Sequence, residues 1–600
     1  MTSDETWPQC RVRGCAGAAL ATECLLHINS ADRADYLRWV NPIDGRGVRF
    51  TAELIHEVYT NLPKKGRPAR TVLFTGAVFP DDASFGGARF GDGSSFAGAN
   101  FGDDAFFRGA RFGKDIKFDG AKFGRHPSFR GARFEENSSF KGTDFGDNPW
   151  FRGSVFGKRA SFVDAKFGDH AYFRYTRFGD GTRFQRATFG KSATFVDTVR
   201  FEGTVYFTSV TFGDELGFGK VLITGQADFT KASFGAEAKF NVFSREPLSM
   251  AYARFGRHAQ INFAGRELSL HGADFSEGGS IRAWGTEIDL TRAKFGAPSL
   301  LTERKPVTGP RTAPPVEPGQ RPRLLLDLDP DPEGFVVPNG TPRLMSLDEA
   351  DVRELVIDRV DLGSCRFNQA HNLDQLKVGS SDQFLLPDRK FGPTRRRIVL
   401  EEYLWRARHE RRSRWSLPDP PAIEDTPGDP RAQARQIEQT YRALRKAFED
   451  VKNEPGSADF YYGEMEMRRR GSESRAERFL LYCYWLLAGY GLRAWRALTA
   501  LAVTVAVGTV IFVSAGFATA ATTSFVPTSG GTYVQTTVPG PRPGWSDALS
   551  YSLHSITSLI RPAGTIPLTA AGNYTELTLR ILGPLLLGLA LLSIRARVKR

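Results

Sequence analysis

The sequence has few cysteines and lacks the signatures of common enzymes. Only five of its 600 residues are cysteine, three of them close together near the N-terminus. That distribution excludes a disulfide framework and predicts a reducing compartment. The first residues, MTSDETWPQCRVRGC, contain no apolar run, so we expect no cleaved signal peptide. The stretch GFGK (Gly217–Lys220) lacks the Ser or Thr and the spacing of a phosphate-binding loop, and neither H-E-x-x-H nor G-x-S-x-G occurs. We therefore predict that the protein is not an enzyme.

Positive charge exceeds negative charge along the chain. Lysine and arginine number 80 against 67 aspartates and glutamates, which gives a formal net charge of +13. This balance suits contact with nucleic acid or an anionic membrane, and equally a membrane protein with basic cytoplasmic flanks. The length predicts several domains, because a single hydrophobic core stops growing well below this size.

Phenylalanine, in contrast, is abundant and recurs with an unusual period. From Phe74 to Phe240 it returns in alternating steps of five and six residues, as in FGGARFGDGSSFAGANFGDDAFF. A small residue, usually alanine, stands two positions before every second phenylalanine. Neither a helix nor a plain strand keeps such positions on one side, whereas a chain that turns a corner every five or six residues does. The period predicts short flat sides that stack coil on coil around a bore filled by phenylalanine and small residues.

The repeated segments GARFG, GANFG and GAKFG resemble the motif of the pentapeptide-repeat family, in which a small residue precedes a central Leu or Phe by two positions. The resemblance implies a mainly β fold, a right-handed quadrilateral β-helix. The alternation of five and six departs from the family and predicts about 22 residues per coil, so that 74–240 would form a rod roughly 35–40 Å long. We assign the β-helix to 70–301 and its terminal coils to 345–385, with a Pro-rich insert at 302–344.

The outward positions of the repeat carry mixed charge. Residues 71–240 contain 23 lysines and arginines against 20 aspartates and glutamates. Some pentapeptide-repeat proteins are thought to mimic DNA, and that role requires a strongly acidic surface. The near-neutral balance disfavours it, and the repeated Phe and Ala are predicted to be core rather than a binding site.

Four potential metal ligands lie in the N-terminal segment 1–60. Cys10, Cys15, Cys24 and His27 follow the spacing C-x4-C-x8-C-x2-H. Three thiolates and one imidazole form a complete tetrahedral zinc set, so the predicted zinc site is structural and holds together a segment too small for its own core. The alternative is three small apolar cysteines beside an incidental histidine. The segment carries too few basic residues to predict nucleic-acid binding.

Residues 386–478 are predicted to form a cytoplasmic helical linker. The part 394–415 is strongly basic, and a Pro-rich break follows it. Apolar residues then recur at steps of three and four, from Ile437 to Val451, as in an amphipathic helix. The helices either form a hairpin that packs the β-helix against the membrane or present a basic face to anionic lipid, and these two roles are compatible.

The C-terminal region contains two long apolar runs. Residues 497–522 carry no charge and exceed the roughly 20 residues that a bilayer crossing needs, and 577–594 form a shorter run. Basic residues precede the first run and form the tail 595–600, whereas the loop 523–576 has few of them. The positive-inside rule then places both termini in the cytoplasm and predicts a multi-pass protein of the cell membrane. The segment 479–496 is predicted to be an interfacial helix.

The loop between the runs resembles the pore segment of two-transmembrane ion channels. ALSYSLHSITSL (548–559) occupies the pore-helix position. In potassium channels a filter rich in glycine and tyrosine follows. The residues at the corresponding positions lack that composition, and they are Thr557, Ser558, Leu559, Ile560 and Arg561. A ring of Arg561 would repel cations, so the pore is predicted to pass another ion, such as an anion, or to have lost conduction.

Gly583 and Pro584, in the second run, are candidates for a kink that gates the inner helix. The alternative is a membrane proline whose neighbours satisfy the freed backbone groups.

Together these features predict a bacterial-type membrane protein in which a zinc-capped cytoplasmic β-helix is joined to a pore-loop membrane domain. We favour an ion-channel-like protein whose β-helix senses or recruits a cytoplasmic protein partner. The alternative is a membrane-anchored scaffold that does not conduct. A homo-oligomer, specifically a tetramer, is implied by the channel resemblance alone. The two spans disfavour a soluble nucleic-acid-binding protein, and we expect no nucleic-acid partner.

Overall fold

The computed structural model describes residues 7–63, 68–304, 340–389, 396–409, 415–416, 428–518, 521–527, 533–539, 543–558 and 566–598. The chain separates into two compact units, one comprising Met1–Ile423 with Lys446–Asn453 and the other Glu424–Arg445 with Glu454–Arg600. The first unit contains the β-helix. The second contains most of the helices.

Two short helices near the N-terminus precede the first complete coils. Helix α1 (Ser30–Trp39) begins after Asn29, and α2 (Ala52–Asn61) begins after Thr51; each capping side chain accepts a backbone N–H of the first turn. Between them the chain already pairs in parallel with the β-helix, Ile43–Asp44 against Val72–Leu73. The Phe50 ring stacks on Phe79 with centroids 4.6 Å apart, so this segment closes the end of the phenylalanine core.

The β-helix makes about 12 turns between residues 78 and 378. Parallel ladders join its coils, and in the first part partners lie 22 residues apart, as in Arg89–Arg111 and Arg111–Arg133. One ladder comprises Arg89–Phe90, Arg111–Phe112, Arg133–Phe134, Val155–Phe156, Arg177–Phe178, Val199–Phe201, Gly217–Ile223, Lys239–Ser244, Ala259–Gly265, Gly279–Trp284, Ser299–Glu303, Leu355–Asp358 and Lys377–Val378, and Thr194–Phe195 also pairs with its seventh strand. A second comprises Thr182–Arg183, Val205–Tyr206, Ala227–Asp228, Leu248–Ser249, Glu267–Ser269, Glu287–Asp289 and Arg343–Ser346. A third comprises Lys166–Phe167, Thr188–Phe189, Thr211–Phe212, Ser233–Phe234 and Arg254–Phe255, preceded on the same side by Val78–Phe79, Asn100–Phe101 and Lys122–Phe123. The predicted quadrilateral β-helix and its coil of about 22 residues are confirmed.

Phenylalanine rings fill the bore in stacked columns. Rings of successive coils lie nearly parallel, with centroids 4.4 Å apart for Phe112–Phe134 and 5.7 Å for Phe123–Phe145. Rings on neighbouring sides of one coil meet edge to face, the other arrangement that the aromatic quadrupole favours. These inward side chains are almost completely buried, so the repeated phenylalanine is core, as predicted.

The corners explain the polar part of the repeat. Asp104 and Gly109 adopt left-handed backbone, with φ of 58° and 67°, a conformation that Asp, Asn and Gly accept more readily than other residues. Successive coils approach closely at the glycine that follows every second phenylalanine, as at Gly102. A Cβ on Gly102 would lie 2.2 Å from Asp81 Oδ1, the oxygen that accepts the Asp103 N–H at 2.8 Å. In the run Phe101–Asp104, Gly102 therefore permits the contact with the coil before it, and Asp104 makes the turn.

The coils change shape at Gly217–Ile223. This strand pairs with both Thr194–Phe195 and Val199–Phe201 of the preceding coil, so two short sides merge into one long strand. Later coils keep the long strand and shorten: Lys239 pairs with Gln260, and Gln260 pairs with Ser280. Loss of a corner is the physical reason why the five–six pattern of phenylalanine ends near Phe240.

A long insertion interrupts the late coils. Ser299–Glu303 pairs directly with Leu355–Asp358, so the chain between them leaves the ladder and returns to it. Most of the predicted Pro-rich insert, residues 305–339, lies outside the described residues. A 3-10 turn (Leu373–Gln375) precedes the last ladder strand, Lys377–Val378. After that strand come a second 3-10 turn (Ser381–Gln383), an antiparallel pair (Asp388–Arg389 with Trp415–Ser416) and helix α3 (Leu400–His409).

The second unit contains six helices in the described residues. They are α4 (Pro430–Asp450, whose C-terminal part belongs to the first unit), α5 (Glu454–Gly471), α6 (Arg475–Ala488), α7 (Ala494–Ile511, continued by a π-turn to Gly516), α8 (Trp545–Thr557) and α9 (Ala570–Val598). An antiparallel hairpin, Ala521–Pro527 with Tyr533–Pro539, lies between α7 and α8. The helix of the first apolar run thus ends at Gly516, before the predicted limit of 522, and that of the second begins at 570 rather than 577. The predicted interfacial segment 479–496 contains most of α6, its left-handed cap Gly489 and the start of α7.

Candidate metal centre and membrane module

The structure brings Cys10, Cys15, Cys24 and His27 together. The His27 Nδ1 atom lies 3.4 Å from the Sγ atoms of both Cys10 and Cys24, and the Sγ atoms of Cys15 and Cys24 are 3.6 Å apart. One ligand atom from each of the four residues lies within 4.8 Å of the others. A tetrahedral zinc ion with Zn–S bonds of about 2.3 Å holds its ligands about 3.8 Å apart. The cluster therefore has the donor types and the dimensions to hold a metal ion.

Backbone hydrogen bonds position the four residues of the cluster. The Cys10 N–H donates to Gly17 O at 2.9 Å, and the Gly17 N–H donates to Cys15 Sγ at 3.4 Å. The His27 N–H donates to Cys24 O at 2.9 Å, which places the last two ligands on one turn. Gly17 is required here because a Cβ would lie 2.8 Å from the Cys24 Cβ. The set is complete within the protein and offers no open position to a substrate, as in structural sites.

The thiols of the cluster differ in acidity. Burial opposes ionisation of Cys10, but hydrogen bonds from the backbone of Val12 and Cys24 and from the His27 ring outweigh it and lower the pKa of Cys10 to about 7. Burial raises the pKa of Cys24 to about 12. A bound cation would favour the thiolate at both positions, since metal ligation requires deprotonated sulfur.

Two helices, Ala494–Gly516 and Ala570–Ile594, are long and apolar enough to cross a membrane. In the most apolar 18-residue stretch of each helix, only 22% and 28% of the residues, respectively, are buried inside the protein. Large side chains such as Val503, Ile581 and Leu592 are more than 60% exposed. Apolar side chains exposed along both helices favour contact with lipid or with another protein surface, and both helices are long enough to cross a bilayer.

Helix α8 stands between these candidate spans in the chain and contacts both, and the two spans also pack directly on each other. On the α7 side, Tyr551 packs against the Phe512 ring with centroids 5.0 Å apart, and the hydroxyl of Thr509 donates to Ser552 Oγ at 3.2 Å. On the α9 side, Ile556 fits against Gly583, where a Cβ would lie 2.7 Å from the Ile556 side chain. The three helices thus form one packed module.

The predicted pore and hinge residues are placed in part. Thr557 ends α8 and its hydroxyl donates to His554 O at 3.1 Å; Ser558 follows as the cap. Leu559, Ile560 and Arg561 lie outside the described residues. Gly583 is a packing position against α8, and Pro584 lies inside α9, which continues on both sides of it. The gating role of this pair stays a prediction.

One feature of the module was missed by sequence reasoning. Glu576 and Arg580 form an ion pair one helical turn apart on α9, and both are mostly buried. From the sequence we predicted Glu576 at the end of the loop 523–576 and Arg580 near the outer end of the second apolar run. The spacing E-x3-R in an otherwise uncharged run was the available signal. Paired charges at such a position are costly and usually have a function.

A groove of about 1090 Å³ opens on the last coils of the β-helix, and sequence reasoning missed it as well. Its residues come from separate coils and from the segment after them, so no local motif marks it. Its charged lining is Glu267, Glu287, Asp289, Arg343, Asp348, Asp361, Arg366, Asp382 and Arg397. Burial raises the pKa of Asp348 in this groove.

Comparison with known proteins identifies the repeats. A family model described as Pentapeptide repeats (9 copies) matches residues 74–122, 118–166 and 151–199. These overlapping matches cover the four-sided, phenylalanine-filled coils, so this part of the chain is a pentapeptide-repeat β-helix. No curated protein and no solved structure matches the chain. The family match ends before the module of α7, α8 and α9, and the pore-loop resemblance therefore stays a prediction.

Proposed function

We propose that the protein is a membrane-anchored pentapeptide-repeat protein whose α7–α9 module is an ion-channel-like pore domain without potassium selectivity. The observation that carries this proposal is the short helix α8, which stands between the two candidate spans in the chain and packs against both. Span, pore helix and span in this order are the elements of a pore-loop channel. The β-helix is the cytoplasmic module that senses or binds a protein partner, both termini are cytoplasmic, and the pore is a homotetramer. No enzymatic step is part of the proposal.

Ion flux from liposomes that contain the purified full-length protein tests the pore. We expect the wild type to pass anions and Arg561→Ala to shift selectivity toward cations, because the variant removes the predicted ring of positive charge. Arg597→Ala, in the basic segment at the end of α9, is the matched control and should leave selectivity unchanged. A wild type that passes no ion over a range of salts and voltages would contradict the pore.

The second candidate is a membrane-anchored scaffold that does not conduct. It is supported by the tight packing within the module: a Cβ on Gly572 would lie 2.1 Å from Gly516 O, and one on Gly508 would lie 2.9 Å from Leu579. Such packing suits a rigid anchor as well as a pore. Both candidates require detergent for extraction from membranes, whereas release by high salt would contradict both.

We also propose that the N-terminal cluster holds structural zinc. Its support is the closed set of three sulfurs and one nitrogen at zinc-like separations. We expect about one zinc per chain by elemental analysis. Cys24→Ser should lose the metal and make the N-terminal segment sensitive to protease. Cys483→Ser, which removes a half-buried thiol from α6, should retain it. Equal metal content in the two variants would contradict the site.

A further inference from the structure

In four successive coils, one corner of the β-helix and the two sides that flank it carry arginines and aromatic residues but no carboxylate. We define the arginine face as the outward residues of 106–112, 128–134, 150–156 and 172–178, one segment from each of four successive coils. It contains seven arginines: Arg108, Arg111, Arg130, Arg133, Arg152, Arg174 and Arg177. All 20 acidic residues of 71–240 lie elsewhere. The repeat is nearly neutral as a whole, but its coil register separates these arginines from the acidic residues.

The register stacks these side chains in columns. Arg111 pairs with Arg133, one coil apart at strand spacing of about 4.8 Å. Arg108, Arg130, Arg152 and Arg174 recur every 22 residues and occupy equivalent positions in the four coils. Like charges at this spacing repel, so packing within the β-helix does not by itself favour them. Six of the seven arginines are exposed and Arg130 is half-buried. In the described part of the chain, Arg174 is the member of the set with a carboxylate partner, Asp197.

Aromatic side chains lie among the arginines. The Trp150 ring is 5.1 Å from Tyr172, and the Arg130 guanidinium lies over it at 5.6 Å. Arg152 and Arg174 lie over Tyr175 at 5.9 and 5.4 Å. Tyr175 has a φ of 56° at the corner where the three preceding coils have glycine, a conformation that is unfavourable for an aromatic residue. The exposed rings of Trp150 and Tyr175 are thus covered in part by arginine side chains, and Trp150 also contacts Tyr172.

We propose that the arginine face docks on anionic lipid headgroups at the membrane surface. Arginine, tryptophan and tyrosine are the side chains that favour the interface, and basic clusters attract anionic lipid. The inference rests on the proposed membrane anchoring, which keeps the face near lipid at a high effective concentration.

The geometry disfavours two other anionic partners. Single-stranded nucleic acid binds by stacking bases on open aromatic faces, and the Trp150 and Tyr175 rings already carry guanidinium groups. An acidic peptide binds by adding to a free strand edge or filling a groove. The sides of these coils are hydrogen-bonded to the coils before and after them, so the face offers no free edge.

The test is arginine protection in lipid nanodiscs that contain the full-length protein. Phenylglyoxal modification of each arginine is followed by peptide mass spectrometry, in discs of phosphatidylcholine alone or mixed with phosphatidylserine. We expect the seven arginines to react several-fold more slowly in the mixed discs, with high salt removing the difference. Arg159 and Arg183, which are exposed outside the face, should react equally in both.

Two variants separate docking from general charge. Arg130→Gln with Arg152→Gln should weaken protection of the remaining arginines, by about fivefold in affinity per arginine removed. Arg159→Gln with Arg183→Gln removes the same charge elsewhere and should not. Equal reaction rates in the two kinds of disc would overturn the inference while leaving the anchoring intact. Protection that arises only when polyuridylate or polyglutamate is added to neutral discs would also overturn it. A chain that does not enter discs at all would overturn both the docking and the proposed anchoring.

Discussion

The β-helix and the two candidate spans are both rich in apolar side chains but dispose of them in opposite ways. In the β-helix, inward phenylalanines such as Phe129 are fully buried, and charged residues stand beside them on the outside. In α7 and α9, side chains such as Val503 and Leu592 are more than 60% exposed. The β-helix buries its apolar side chains within its own bore, and that burial stabilises its fold. The exposed apolar side chains of α7 and α9 leave water only when lipid or another surface covers them, so they contribute little to the stability of the isolated chain.

Phe129→Ala sharpens this comparison and has the largest expected effect. Its ring stacks between Phe107 and Phe151, with centroids 5.1 and 5.3 Å away. We expect the free energy of unfolding to fall by about 3–5 kcal/mol, because the truncation leaves a cavity in a closely packed column. Chemical denaturation of the full-length protein in detergent measures it.

The matched control for this prediction is Val503→Ala, an apolar truncation on the exposed side of α7. It should change the free energy of unfolding in detergent by less than about 0.5 kcal/mol. Equal losses at the two positions would contradict the opposite burial of the two regions.

A feature could be predicted from the sequence where the residues that encode it are close together or recur at a fixed spacing. The coils were predictable because the spacing of Phe and Ala equals the length of the sides, so that each residue meets its equivalent about one coil away. The clustering of Cys10, Cys15, Cys24 and His27 was predictable from their close spacing. The merged strand at Gly217–Ile223 was not, because a lost corner leaves only a fading period. The arginine face and the groove depend on which residues the register places side by side, and segment-wide charge counts average that information away.

Glu401, on the first turn of α3, is an exception to this contrast, because it places a carboxyl group partly inside the unit that contains the β-helix. Its side chain is partly buried, with the Oε2 atom enclosed, and its Oε1 atom accepts the Phe367 N–H. Burial raises its pKa from 4.5 to about 7; Asp348 adds to the effect, and the Phe367 amide and Arg366 oppose it. Since the folded-state pKa is the higher one, the stabilisation by the protonated group is complete below about pH 4.5. It is lost as the pH rises to about 7, a change of about 3 kcal/mol.

The pH dependence of unfolding tests Glu401 directly. Wild type and Glu401→Gln are denatured across pH 4.5–7.5, a window that spans the two pKa values. Other titrating groups are common to both proteins, so the difference isolates this carboxyl. We expect the wild type to lose stability relative to the variant as the pH rises. Parallel curves would show that Glu401 ionises at its ordinary pKa.

Thr143→Ala gives the smallest expected effect and tests how polar the bore can be. The buried Thr143 hydroxyl donates to Phe118 O at 2.7 Å, in a position that alanine occupies in the preceding coil as Ala121. Phe118 O also accepts the Ala121 N–H at 2.9 Å, so the variant leaves this carbonyl paired. We therefore expect a loss of only about 0.5–1.5 kcal/mol in the free energy of unfolding, measured as for Phe129→Ala. The reverse change, Ala121→Thr, should be tolerated at similar cost or less, because Phe96 O lies in the equivalent place. A loss as large as that of Phe129→Ala would mean that hydrogen bonds between coils, and not the phenylalanine columns alone, hold the β-helix together.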